Sequence, residues 1–321
     1  MILLAGNHFP PCNQLTPPRS EYVTVTDGVE ALAHLITGPC EKIVLGEGLA
    51  TLDALEVLEL WRGVDQVTPV ILFSGSNDLH ALRRGVQLGI SDFLLCGLDA
   101  EQLQDALERL APSEAVRELD EDLLAPTPKL LTLYRTGIAQ LSQRLSIQPC
   151  MAAGTILQRA IRQRMVRAYP WLKRFIPGKV PANTRADLEM QLSEEFAILH
   201  TLFPKEASQS FREILTYILT HMDREPHQPE IAAAFYLSSS TLSQMFTREL
   251  GCGFRSYVTE CRMLRAASLL SELEAAKVAE QLGYQDYSYF TKQFRKRFGL
   301  FPAEYQSNVR KERTSCTQPI E

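Results

Sequence analysis

Short apolar runs alternate with amphipathic segments along the first 110 residues. Five runs have the length of buried strands and cover residues 2–5, 22–25, 42–45, 70–73 and 93–95. Apolar residues at helical spacing lie between the later runs, at 29–36, 52–61, 79–88 and 101–110. This alternation predicts an α/β domain with a parallel sheet that helices cover on both faces.

The segment between the first two runs breaks this alternation. It carries four prolines within residues 6–20, namely Pro10, Pro11, Pro17 and Pro18. Proline lacks the backbone N–H that a helix interior requires, and its ring clashes with the preceding turn. We therefore expect the α/β domain to lack a regular first helix.

A charged stretch with two prolines, at 118–128, marks a boundary after this domain. Helical patterns follow at 130–145, 152–169 and 187–202 and predict an all-α middle segment. The chain is predicted to contain an α/β domain at 1–124, a middle region at 125–207, a C-terminal domain at 208–310 and a tail at 311–321.

The pattern at 152–169 is a basic amphipathic helix with four arginines, Arg159, Arg162, Arg164 and Arg167. Such a helix can lie on a membrane, on nucleic acid or on an acidic protein surface. Residues 1–125 carry 7 Lys/Arg against 20 Asp/Glu, so an acidic partner exists within the chain. Three interpretations of this helix remain open: docking within the molecule or in a dimer, a solvated face, and direct contact with DNA.

Composition restricts the class of protein. The net charge is −5, the hydrophobic fraction is 45%, and no apolar stretch reaches the roughly 18 residues of a membrane span. The seven cysteines form no CxxC pair, which favours reduced thiols in the cytoplasm over a disulfide framework or a zinc site. The six histidines are dispersed, and no catalytic triad, metal cluster or phosphate loop is visible. We expect a cytoplasmic protein that is not an enzyme and has no cofactor.

The C-terminal third contains an internal repeat. Three apolar positions recur 47 residues later and three more recur 48 residues later, as follows: Ile231/Val278, Ala232/Ala279, Phe235/Leu282, Leu242/Phe290, Phe246/Phe294 and Gly251/Gly299. Each copy has a short helix, a turn and a second helix that begins at a capping residue, Ser238 or Ser239 in one copy and Asp286 in the other. A helix at 254–270 joins them. The repeat predicts two helix-turn-helix units on one rigid rod.

This region resembles the DNA-binding domain of AraC/XylS-type transcription regulators. The resemblance rests on AEQLGYQDYSYFTKQFRKRFG at 279–299, FPAEY at 301–305, LSQMFTRELG at 242–251 and RMLRAASLL at 262–270. It implies double-stranded DNA as the partner, with the two units in successive major grooves about 34 Å apart. RNA polymerase is a further candidate partner.

Helical periodicity selects the residues that face DNA. On the two recognition helices the predicted DNA-contacting residues are Ser239, Ser240, Ser243, Gln244, Thr247, Arg248, Tyr287, Ser288, Thr291, Lys292, Arg295 and Lys296. Arg262, in the RMLRAASLL segment that carries the resemblance, is also predicted to contact DNA. The resemblance places base readers at Ser240, Ser243 and Gln244, while the basic run 292–297 suits phosphate anchoring. We therefore expect the first unit to contact the bases, which gives sequence specificity, and the second to bind the phosphate backbone through its positive charges.

The N-terminal domain resembles the receiver domain of two-component response regulators. VILFSG at 70–75 and ALRRGVQLGISDFLL at 81–95 carry the resemblance, which implies a flavodoxin-like fold. The phospho-acceptor position falls on Gly46, or on Glu47 if the register slips by one residue. The hydroxyl position holds Ser74, and the lysine position holds Cys96. Glu47 is either a fixed negative charge or a solvated loop residue, and Cys96 is either a sensor or an ordinary buried thiol. Gly46 has no side chain to phosphorylate, which predicts a pseudo-receiver.

Together these features predict a sequence-specific transcription activator that acts independently of phosphorylation. Its pseudo-receiver serves in homodimerisation or in sensing a partner or ligand. The helical patterns at 79–88 and 101–110 are candidates for self-association, although their apolar residues equally suit an internal core. The alternative is a signalling adaptor whose tail has little DNA affinity of its own.

Overall fold

The computed structural model describes residues 1–7, 9, 22–74, 79–95, 100–110, 128–176, 182, 184–204, 206–222 and 226–315. The chain divides into two compact units, Met1–Ala168 and Tyr169–Glu321. The proline-rich segment predicted to replace a first helix, Cys96 and most of the predicted 118–128 boundary lie outside the described residues. The division at Ala168 assigns the first two helices of the predicted middle region to the N-terminal unit and the third to the C-terminal unit.

The predicted parallel sheet of the N-terminal unit is confirmed. Its strands are β1 (Ile2–Ala5), β2 (Tyr22–Val25), β3 (Lys42–Gly46), β4 (Val70–Ser74) and β5 (Asp92–Leu95). Every neighbouring pair is parallel, and the order is β2-β1-β3-β4-β5. This is one of the two common orders of doubly wound α/β sheets.

Four helices follow the strands of this sheet: α1 (Gly28–Thr37), α2 (Ala54–Arg62), α3 (Leu79–Gln87) and α4 (Ala100–Arg109). The apolar face of α4, with Leu103 and Leu107, packs on Leu4 and Val44 on one face of the sheet. Successive residues of a strand point to opposite faces of the sheet. Leu3 therefore faces the side of the sheet opposite to Leu4, where α1 and α2 pack.

Two further helices form an outer layer on this unit. They are α5 (Pro128–Arg144), which contacts α2, and α6 (Ile147–Ala168), which contacts α5 and α1. Helices α5 and α2 approach closely at Gly137, where an added Cβ would lie 3.5 Å from Leu60 Cδ1.

The basic helix α6 binds the end of α1. The buried Arg164 donates from Nη1 to the Ile36 carbonyl at 2.9 Å, and Arg167 donates to the Thr37 carbonyl at 3.4 Å. The last carbonyls of a helix lack intrahelical partners and carry partial negative charge, so guanidinium groups stabilise them. Of the three alternatives for this helix, the structure shows docking within the molecule, while Arg159 is exposed.

The C-terminal unit is all-helical, as predicted. It begins with a 3-10 turn at Pro170–Arg174, and its α-helices are α7 (Arg185–Leu202), α8 (Gln209–Thr220), α9 (Gln228–Ala234), α10 (Ser239–Leu250), α11 (Phe254–Leu270), α12 (Ala275–Gln281), α13 (Tyr287–Phe298) and α14 (Pro302–Ser315). Aromatic rings anchor the start of this unit, where Trp171 lies 5.9 Å from both Phe175 and Phe203, centroid to centroid.

Candidate nucleic-acid interface

The sequence repeat is also a repeat of backbone hydrogen bonds. At the end of α9, Tyr236 N–H donates to the Ala233 carbonyl and Leu237 N–H to the Ala232 carbonyl. At the end of α12, 47 residues later, Gly283 donates to Glu280 and Tyr284 to Ala279. Both pairs form the Schellman arrangement that ends a helix through one left-handed residue. The two helix-turn-helix units therefore share one turn geometry.

The second helix of each unit begins and ends in the same way. The Ser238 side chain accepts a hydrogen bond from Thr241 N–H at the start of α10, and Asp286 accepts one from Ser288 N–H at the start of α13. Gly251 (φ 66°) and Gly299 (φ 74°) end these helices in the left-handed region, which glycine adopts without steric cost. The predicted caps are confirmed, with Ser238 rather than Ser239 in the first unit.

Helix α11 is shared by both units. Near its start, Phe254 and Tyr257 pack on Phe246 of α10, with ring centroids 5.3 and 5.4 Å apart. Nearer its end, Met263, Ala266 and Leu270 belong to a core cluster with Phe290 and Phe294 of α13. Each unit thus packs on a different part of one helix, which fixes the spacing of the two units.

The outward face of α10 is polar, and its predicted inward residues Leu242 and Phe246 are fully buried. All six residues predicted to face DNA on this helix are exposed: Ser239, Ser240, Ser243, Gln244, Thr247 and Arg248. The Gln228 side chain donates to Ser243 Oγ and to the Ser239 carbonyl, both at 2.7 Å, and so links α9 to this face. Whether these residues contact DNA stays a prediction.

Arg248, the basic residue of α10, forms an ion pair with Glu249, Nη2 to Oε1 at 2.6 Å. Glu249 also accepts hydrogen bonds from the backbone N–H and the hydroxyl of Ser208. The hydrogen bonds from Arg248 and then from Ser208 favour the charged form and hold the pKa of the Glu249 carboxyl below its ordinary value. A carboxylate therefore lies at the edge of the predicted DNA-reading face.

Helix α13 presents the predicted basic face. Tyr287, Ser288, Lys292, Arg295 and Lys296 are exposed, and Thr291 is half-buried. The Arg295 guanidinium lies 4.4 Å from the centre of the Phe301 ring. Arg297, which belongs to the same basic run, is paired with Glu260 of α11 at 2.6 Å. Lys292 and Lys296 have no ion pair within the described part of the chain.

The prediction for Arg262 is wrong. This residue of α11 is 8% exposed, and its Nη2 donates to the Leu282 carbonyl at 2.7 Å. Its guanidinium also stacks over the Tyr284 ring, 3.9 Å from the ring centre. Arg262 joins α11 to the turn of the second unit from inside the domain, so its charge does not face DNA.

Tyr236 was not among the predicted site residues. It lies in the turn of the first unit, is 98% exposed and has a left-handed backbone with φ 56°. Its counterpart in the second unit is Gly283, with φ 75°. The 47-residue repeat could have revealed this position, because it aligns a tyrosine with a glycine in the turn.

The carboxyl ends of β1, β3 and β4 form a second candidate site, in the N-terminal unit. Gly46 ends β3, and an added Cβ would lie 3.1 Å from Phe9 Cζ and 3.3 Å from Phe73 Cδ1. The next residue, Glu47, accepts a hydrogen bond from the Ser74 hydroxyl at the end of β4. Aromatic rings therefore occupy the space beside Gly46, and Glu47 is held by Ser74 rather than simply solvated.

Comparisons with known proteins match the C-terminal region. Residues 231–308 match a family model described as a helix-turn-helix domain. The regulatory protein PocR of Salmonella typhimurium is 31% identical over 108 residues, which cover 33% of this chain and 36% of PocR. The HTH-type transcriptional regulator GadX of Escherichia coli is 33% identical over 105 residues, which cover 32% of this chain and 38% of GadX.

Among solved structures, the C-terminal domain of AraT, a response regulator from Geobacillus stearothermophilus, is 32% identical. The match covers 32% of this chain and 88% of that domain, with a TM-score of 0.31. The chain spans less than two fifths of the length of PocR and GadX. Within the described residues, no helix is both long and apolar enough to span a membrane.

The repeated turn, the paired caps and the family match define residues 231–308 as a helix-turn-helix domain. In this region the chain is similar to a regulatory protein, PocR, and to an HTH-type transcriptional regulator, GadX.

Proposed function

We propose that this protein is a sequence-specific transcription activator that binds double-stranded DNA through both helix-turn-helix units. One observation carries the proposal, namely that two units with the same turn and caps pack on one shared helix, α11. Units held at a fixed spacing can enter successive major grooves, about 34 Å apart on one face of B-form DNA.

The two recognition helices have different chemistry. The exposed residues of α10 are mainly hydroxyl and amide side chains, and glutamine can form paired hydrogen bonds with the edge of adenine. The exposed face of α13 carries Lys292, Arg295 and Lys296, which suit phosphate oxygens. These differences support base reading by the first unit and backbone anchoring by the second.

The proposed role of the N-terminal unit is that of a receiver-like domain without phosphorylation chemistry. Gly46 offers no acceptor carboxylate, and a larger side chain there would contact Phe9 and Phe73. The strand order, one of the doubly wound orders, is compatible with the receiver resemblance. The domain then regulates by homodimerisation or by sensing a partner or ligand.

The edge of the sheet at β5 is the candidate surface for homodimerisation. Leu79 and Val86 of α3 are 77% and 62% exposed, and Leu95 of β5 is 47% exposed. Leu79 and Val86 are about two turns apart on one face of α3, and exposed apolar residues on a shared face favour protein association. This observation favours self-association over a purely internal role for these residues.

A gel-shift titration on the DNA upstream of the protein's own gene tests the proposed function. Random DNA of equal length is the control, and both are titrated at several salt concentrations. A regulator binds the upstream DNA more tightly, and its affinity falls as salt rises because released counterions drive association. Failure of the full chain to bind either DNA at low salt favours the signalling adaptor.

A further inference from the structure

Tyr236 is the most exposed of the large apolar or aromatic side chains in the described part of the chain, at 98%. Its side chain makes no hydrogen bond or ring contact with any described residue. Its backbone has φ 56°, in the left-handed region that is sterically unfavourable for an L-residue with a Cβ atom. Neither burial nor a contact compensates this cost within the domain.

The turn itself does not require tyrosine. Gly283 forms the same turn in the second unit with the same pair of backbone hydrogen bonds. A glycine would satisfy this geometry in the first unit without steric cost. Residues held in a strained conformation by the surrounding fold concentrate at functional sites, which directs attention to what the Tyr236 side chain contacts outside the chain.

The location of Tyr236 favours DNA as that contact. It precedes Ser238, the N-cap of α10, by two residues. In helix-turn-helix proteins the start of the recognition helix contacts base edges while the preceding helix crosses the backbone. The turn between the two helices therefore lies near the rim of the groove, where phosphate oxygens accept hydrogen bonds from tyrosine hydroxyls among other donors.

The charges around α10 are consistent with a neutral donor at this rim. The basic residue of α10, Arg248, is paired with Glu249. The start of the helix presents the hydroxyl groups of Ser239 and Ser240. The first unit thus lacks the cationic face that α13 has and must hold the backbone largely with uncharged donors.

We propose that the Tyr236 hydroxyl donates a hydrogen bond to a backbone phosphate at the rim of the groove that α10 reads. This inference rests on the proposed function. A neutral donor adds affinity without neutralising a phosphate, so it releases no counterion. The contact is independent of base sequence because every nucleotide carries the same phosphate.

The test compares the full-length protein with its Tyr236→Phe variant, which loses only the hydroxyl. We expect binding to upstream and random DNA to weaken by about three- to tenfold, the effect of one lost neutral hydrogen bond. The plot of log affinity against log salt keeps its slope and shifts in parallel. Tyr217→Phe, on α8, is the matched control and leaves binding unchanged.

The outcomes separate this inference from the proposed function. If the wild-type protein binds DNA and Tyr236→Phe binds equally well, the phosphate contact does not exist and the ring serves another partner or none. A change of slope, or a loss on one DNA only, also overturns the proposal. If the wild-type protein binds no DNA, the proposed function itself fails.

Discussion

Tyr236 and Gly283 lie at the same position of the two helix-turn-helix units, and both have a left-handed backbone, with φ 56° and 75°. The turn imposes the left-handed conformation, and only Gly283 adopts it without steric cost. The first unit therefore contains a residue whose identity lowers the stability of the domain.

Replacing Tyr236 with glycine should stabilise the C-terminal unit. The change removes a left-handed cost of about 1–2 kcal/mol and adds a glycine entropy cost of about 0.5–1 kcal/mol, so the free energy of unfolding rises by up to about 1.5 kcal/mol. The chain has two tryptophans, Trp61 and Trp171, one in each unit. Urea unfolding in a Trp61→Phe background therefore follows the C-terminal unit through Trp171. A decrease in stability would show that the turn is not strained.

If α10 contacts bases and α13 binds the phosphate backbone, as proposed, two substitutions should have different effects. Lys296→Ala should weaken binding to specific and random DNA alike and reduce the salt slope by about one, because one phosphate contact is lost. Gln244→Ala should mainly reduce the preference for the specific site. Fluorescence anisotropy over a salt series measures both quantities. Equal losses on both DNAs for both variants would contradict the division.

The Arg262→Ala substitution should lower the free energy of unfolding of the C-terminal unit. The variant loses a charged hydrogen bond to the Leu282 carbonyl and the stack on Tyr284, which together contribute about 2–4 kcal/mol. Arg255→Ala, exposed on the same helix, is the control and should change stability by less than about 0.5 kcal/mol. Urea unfolding followed by Trp171 measures both variants. A stable Arg262→Ala protein with weakened DNA binding would restore the DNA-contact role.

The contact between α6 and α1 predicts a matched pair of variants in the N-terminal unit. Arg164→Ala removes the buried donor to the Ile36 carbonyl and should cost about 1.5–3 kcal/mol. Arg159→Ala, exposed on the same helix, should change stability by less than about 0.5 kcal/mol. Unfolding is followed by Trp61 fluorescence in a Trp171→Phe background. Equal effects of the two variants would argue against the capping role.

Glu249 should influence both stability and DNA affinity. Its carboxyl pKa is lowered from 4.5, so the charged form stabilises the folded protein above that pH, and the benefit is lost as pH falls through the lower folded pKa. Glu249→Gln should therefore lower the melting temperature by more at pH 7 than at pH 3, where the benefit is diminishing. Releasing Arg248 should also tighten DNA binding and steepen its salt dependence. A variant that melts and binds as the wild type does at pH 7 would refute both effects.

The helix-turn-helix region could be predicted because its determinants are local. Helical periodicity located Leu242 and Phe290, and the capping preferences of serine, aspartate and glycine located the ends of α10 and α13. The burial of Arg262 could not be read in this way. It depends on Leu282 and Tyr284 of the second unit, which the helical pattern of 254–270 does not encode.

The N-terminal unit shows the same limit. The five strands follow from continuous apolar runs, and β3, β4 and β5 each extend only one residue beyond the prediction. The docking of α6 on α1 was only one of three alternatives, because an arginine that caps a distant helix has the same spacing as a solvated one. The ring of Phe9 beside Gly46 depends on tertiary packing and left no signal in the pattern.

Because both units pack on α11, that helix sets the rotation of one unit relative to the other about the helix axis, as well as the distance between them. Inserting one residue in its middle would turn one unit by about 100° relative to the other and move it by about 1.5 Å. The translation is small compared with a turn of DNA, but the rotation would point one recognition helix away from the duplex. Under the proposed function, the length of α11 therefore limits the operator spacings that the protein can bind.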